Sequence, residues 1–156
     1  MNKTALSFAL AGISALPAIS QAREINLSTT LQEYRGNEAY LAIYVTDAQG
    51  AYQRTLWVAG KKVKYYRHLR DWTQGGGNRP AEFDGLTGAS VGSGETLEVA
   101  VELEDALIDA GYQIRIDTAV EDKRDNRGEI QVPLSSQATS VKGGGQGYID
   151  SFGYSF

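Results

Sequence analysis

The stretch "DGLTGAS", Asp84 to Ser90, sets two hydroxyls, Thr87 and Ser90, on either side of the small pair Gly88 and Ala89. A hydroxyl of this kind is a weak nucleophile until a base, a metal or a partner enzyme activates it. The chain carries one histidine, His68, and no cysteine. A Ser-His-Asp arrangement built on Ser90 and His68 has no support in the spacing, and triads are a matter of geometry, not inventory. No catalytic residue is assigned. The lack of cysteine excludes thiolate metal sites, iron–sulfur clusters and c-type haem attachment, so any redox role needs a borrowed cofactor. Zinc would need carboxylates around a single imidazole, and "DAQG" and "DKRDNRG" lack the residue order of a calcium loop. No metal is assigned. The plain reading of the stretch is a loop in which Gly85 and Gly88 turn and the hydroxyls are solvated.

A second group stands out against an acidic background. Lys61, Lys62, Lys64, Arg67, His68 and Arg70 fall within one short segment of a chain whose net charge is −4. Such a run is most simply a solvated face. Its functional reading is a local positive field for a phosphate or an acidic partner, with Tyr65, Tyr66 and Trp72 near enough in sequence to stack on a planar ring. The overall negative charge argues against nucleic acid as a general partner.

The elements that must position these residues follow mainly from period-two alternation. Leu97, Val99, Val101 and Leu103 point one way in "TLEVAVEL". In "YQIRIDTAVE", Tyr112, Ile114, Ile116, Thr118 and Val120 share one face, leaving Gln113, Arg115 and Asp117 on a wet one. "INLSTTL" alternates through Ile25, Leu27, Thr29 and Leu31, and "AYLAIYV" and "AYQRTLWV" flank the turn "TDAQG". "KRDNRG" predicts a second hairpin loop with Asn126 or Gly128 at positive φ. The tail alternates Tyr148, Phe152, Tyr154 and Phe156 as a last strand. Some seven strands with short turns predict an all-β, immunoglobulin-like β-sandwich. One short helical turn is expected in "KKVKYYRHLRDW", where Val63, Tyr66, Leu69 and Trp72 recur every third residue. "GGGNRP" and "KGGGQG" read as loops without nucleotide-binding spacing.

The first residues bear on compartment. Asn2 and Lys3 precede an apolar run interrupted by Pro17, and Ser20 and Ala22 have the small-residue spacing of a cleavage site. The expectation is a signal peptide over 1–22, cut after Ala22, and one sandwich domain over 23–156, exported to the periplasm and not membrane-spanning once cleaved.

With export, "DGLTGAS" takes on another weight, because it resembles the acceptor motif of proteins flavinylated by extracytoplasmic FMN transferases: Asp, two variable residues, Ser or Thr, Gly, Ala, then Thr or Ser. The resemblance implies that Ser90, standing where Thr is the more usual residue, is esterified to the phosphate of FMN taken from FAD. Asp84, Thr87, Gly88 and Ala89 would be the recognition context, with Gly88 and Ala89 keeping the backbone slim enough to enter the transferase. More widely, "AYLAIYVTDAQGAYQRTLWV", "KYYRHLRDW", "DGLTGAS" and "AGYQIRIDTAVEDKRDNRGEIQVPL" are similar to the predicted periplasmic proteins grouped as domain of unknown function 2271. That likeness implies an immunoglobulin-like sandwich working with a PepSY-type membrane protein and an FMN transferase. The expected function is a periplasmic electron carrier with covalent FMN on Ser90 and Lys62, Lys64, Arg67 and Trp72 toward the flavin or a partner. The alternative is a non-enzymatic accessory module without cofactor, docking through a sheet edge or the aromatic tail.

Overall fold

The computed structural model describes residues 20–156; apart from Ser20, Gln21 and Ala22, the expected signal peptide lies outside the described residues. Nine strands run in chain order: β1 (Ala22–Leu31), β2 (Tyr40–Thr46), β3 (Tyr52–Ala59), β4 (Thr87–Gly88), β5 (Thr96–Glu104), β6 (Gln113–Ala119), β7 (Asn126–Pro133), β8 (Thr139–Lys142) and β9 (Ile149–Ser155). They form a four-stranded sheet of order β5-β1-β9-β8 and a five-stranded sheet of order β4-β3-β2-β6-β7. All pairings are antiparallel except β3 with the short β4. The chain is an all-β sandwich.

Alternation explains the layer between the sheets. Ile25, Leu27 and Leu31 of β1 meet Leu41, Ile43 and Val45 of β2 and Ile114 and Ile116 of β6 in one buried cluster. The tail strand closes it: Tyr148, Phe152 and Tyr154 point inward and are buried, and the Tyr154 hydroxyl donates to the Pro133 carbonyl at 2.8 Å. The aromatic tail is therefore core, not the docking surface that its alternation allowed; among its four rings Phe156 alone is exposed.

A third layer covers the outer face of the five-stranded sheet. A 3₁₀ turn over Val63–His68 runs into α1 (Arg70–Gln74), followed by α2 (Pro80–Phe83). The three-residue row suits a 3₁₀ turn, whose i and i+3 side chains eclipse. Tyr66, Leu69 and Trp72 enter a second cluster with Ala42, Tyr44, Val58 and Ala119, whereas Val63, the first of the row, is exposed. Strand β2 is thus buried on both faces, which is why "AYLAIYV" reads as a nearly continuous apolar run.

This cover corrects the wet face expected for β6. Asp117 is fully buried. Its carboxylate accepts from the Tyr44 hydroxyl at 2.9 Å, the Trp72 amide at 2.9 Å and the Gly128 amide at 2.7 Å. No side chain caps α1 at Leu69, so Asp117 supplies from the sheet the acceptor that an N-terminal amide of a helix needs. The β6–β7 loop turns with Asp122 at φ 59, and Gly128, at φ 50, lies near the start of β7.

Candidate functional site

From α2 the chain returns to the sheet through the hydroxyl-bearing stretch. Asp84 ends the helix, its amide donating to Pro80 at 3.0 Å. Gly85 then turns at φ +73. Leu86 accepts from the Val58 amide and Gly88 from the Gly60 amide, each at 2.8 Å, so β4 is an edge strand laid parallel on β3. Beyond it, Val91 exchanges both amide bonds with Ala39 at 2.9 and 2.7 Å. The stretch expected as a free loop is hydrogen-bonded to the fold on both sides of Ala89 and Ser90.

Gly88 has a packing reason of its own. A Cβ there would lie 2.7 Å from the ring atom Cζ2 of Trp57, so the indole occupies the space that a side chain would need. At Gly85 nothing lies within 4 Å, and the glycine answers to φ alone.

Asp84, Thr87 and Ala89 are exposed and Ser90 is half-buried. Ser90 is not sealed in the sandwich: with Ala89 it lines a cleft of about 920 Å³ whose other walls come from residues 37–40, 61–68 and 119–123. The Ser90 hydroxyl donates to the carboxylate of Glu38. Nothing local in the sequence marks Glu38 as the partner of Ser90, because the two residues stand 52 positions apart and the Ala39–Val91 bridge brings them together.

The fold also brings part of the basic segment to Ser90. Lys61, Lys62, Arg67 and His68 line the same cleft. Their segment is held by the Tyr66 hydroxyl, which donates to the Gly60 carbonyl at 2.7 Å, and by the Lys62 amide, which donates to the Tyr40 hydroxyl at 3.1 Å. Burial pushes the Tyr66 phenol up from its usual range. Gly60, at φ +129, lets the Tyr40 ring lie against the backbone. Tyr40 and Tyr65 meet edge-on at 5.7 Å, both lining the cleft.

Two expected contacts fall elsewhere. Trp72 is fully buried, its indole donating to Thr55 at 2.9 Å, and so does not reach the cleft. Lys64 does not line it either; its ammonium sits 4.9 Å from the Tyr65 ring centre. Arg70 and His68 share Asp125, at 2.9 and 3.2 Å, whereas Lys61, Lys62 and Arg67 make no ion pair among the described residues. The lining is mixed in sign, with Lys61, Lys62, Arg67 and Lys123 against Glu38, Glu121 and Asp122.

No group of three or more His, Cys, Asp or Glu among the described residues is arranged to hold a metal ion. No helix among them is long and apolar enough to cross a membrane. A family model described as predicted periplasmic protein (DUF2271) matches residues 22–151. No curated protein and no solved structure matches the chain.

Proposed function

The chain belongs to the DUF2271 family of predicted periplasmic proteins, and from that premise we propose that it is an exported electron carrier with FMN esterified to Ser90, loaded by an FMN transferase and exchanging electrons with a PepSY-type membrane partner. The observation that carries this reading is the position of Ser90, half-buried in a cleft that also presents Lys61, Lys62, Arg67 and the rings of Tyr40 and Tyr65.

These residues fit a phosphate-tethered planar group. A volume of about 920 Å³ falls in the range of ordinary small-molecule sites. Cations without an ion-pair partner suit a phosphate or a reduced anionic ring, and tyrosine faces suit an aromatic one. Glu38 pulls the other way, since a carboxylate beside a phosphodiester is repulsive while it stays ionised. When bound, the flavin supplies one- and two-electron carriage, and this chain supplies position and field.

The test is intact mass of the protein exported together with its transferase. The expected gain is one FMN less water, retained in Thr87→Val and lost in Ser90→Ala, which assigns the reacting hydroxyl. An unmodified wild-type chain overturns the proposal and leaves a cofactor-free accessory module.

A further inference from the structure

Glu38 touches the one atom that the loading reaction must change, and its place there is built. Ala39 and Val91, the neighbours of Glu38 and Ser90, are buried and joined by a reciprocal pair of backbone bonds. Asn37, on the other side of Glu38, is tied by its side chain to Glu121 at 2.9 Å and by its carbonyl to the Tyr34 hydroxyl at 2.9 Å. Two short segments are thus held in register before any partner arrives. The Ser90 hydroxyl spends its hydrogen on the Glu38 carboxylate, which leaves the oxygen's lone pairs as its free hydrogen-bonding capacity.

From this geometry we infer that Glu38 is a proton acceptor which the protein itself contributes to the modification of Ser90. The inference rests on the flavin reading above. The co-reactant is a flavin dinucleotide, and the step is phosphoryl-group transfer without change of oxidation state. The Ser90 oxygen forms a bond to the flavin-side phosphorus as the pyrophosphate P–O bond breaks. The leaving AMP takes that electron pair, and the Ser90 proton passes to Glu38. A nucleophile is activated by a base in hydrogen-bond contact, and such proton transfer is typically worth ~10²–10⁴-fold in rate. Once protonated, Glu38 can donate to a phosphodiester oxygen, which removes the repulsion that an ionised carboxylate would cause.

The experiment follows the loading rate by intact mass, with purified protein, transferase, FAD and magnesium, across the acid and neutral range. Glu38→Gln is expected to load ~100-fold more slowly. Wild type and Glu38→Gln are run side by side at each pH, so that effects on the transferase cancel in the ratio of their rates. Glu38→Asp should recover part of the rate, and Glu38→Ala should regain rate when formate is added, which a merely structural role would not allow. If wild type loads and Glu38→Gln loads equally fast at every pH, the role of Glu38 is overturned and the flavin reading survives. If wild type gains no mass while a second acceptor protein is loaded in the same mixture, the flavin reading fails and the inference falls with it.

Discussion

Two carboxylates flank the helical cover of this sandwich, and they are held in opposite ways. Asp117 lies under the cover, fully buried, with three donors from three different elements. Glu38 lies at the rim of the cleft, exposed, and accepts one hydrogen bond, from the Ser90 hydroxyl. A buried acceptor whose bonds all go to the fold is a fastening, and its loss leaves donors unpaired in a dry place. An exposed acceptor with a single nucleophilic partner contributes little to folding and is free to take part in chemistry. The difference teaches that the number and kind of partners, more than the residue type, separate a structural acid from a reactive one.

The largest expected effect breaks the fastening. Asp117→Ala strands the Trp72 and Gly128 amides and the Tyr44 hydroxyl, and should lower the unfolding free energy in urea by roughly 3–5 kcal/mol. Glu38→Gln, at an exposed position, should change it by no more than about 0.5 kcal/mol. Equal losses at the two positions would erase the contrast. A pH series sharpens it. Burial raises the Asp117 carboxyl above the usual carboxylate range, against the opposing pull of its amide and hydroxyl donors. A group whose folded pKa lies above its unfolded value lends stability that is complete below the unfolded value, about 3.9, and is lost as pH rises through the folded one. Wild type should therefore lose stability relative to Asp117→Asn as pH rises through that window.

Next in size is the division of labour among the glycines of the hydroxyl stretch. Gly88→Ala drives a Cβ to within 2.7 Å of the Trp57 ring, and overpacking of this kind costs ~1–3 kcal/mol. Gly85→Ala meets no atom but must hold φ +73, a strain of ~1–2 kcal/mol. If Gly88 is needed only for packing, a Gly88→Ala protein that still folds should load FMN as fast as Gly85→Ala. A selective loss of loading at Gly88→Ala would restore the recognition role that the motif implies.

Much of the fold is legible as period-two alternation because β1, β5 and β9 keep one face toward solvent. The reading falters where that assumption lapses. Asp117 sits at an outward position of β6 and is buried only because residues 63–83 fold back over it, a tertiary fact with no local signature. Strand β4 is missed because two residues in a parallel pairing with β3 carry no periodicity, and β8 because four residues beside a glycine run read as loop. The candidate site divides in the same way. Ser90 and the cations around it stand out by residue type and local density. Glu38 is an ordinary acid until the Ala39–Val91 bridge places it, and Trp72, though its spacing is correct, belongs to the core.

The smallest expected effect concerns the field in the cleft and separates Lys62 and Arg67 from Lys64. The first two line the cleft with Ser90, whereas Lys64 sits against Tyr65 and does not. In the FMN-loaded protein, a cation near a reduced, anionic ring stabilises it over the oxidised form, so removing the cation makes reduction harder. A unit charge a few ångströms away in a watery cleft is worth ~1 kcal/mol, which for a two-electron couple is about 20 mV. Lys62→Ala with Arg67→Ala should lower the midpoint potential by about 20–40 mV on this scale, and Lys64→Ala by less than either alone. The shift should shrink in high salt, because these side chains are exposed and screened. Redox titration of wild type, the three single variants and the Lys62/Arg67 pair at two ionic strengths decides it. Equal shifts for Lys62 and Lys64, or none for the pair, would mean that the cations of the cleft do not face the ring.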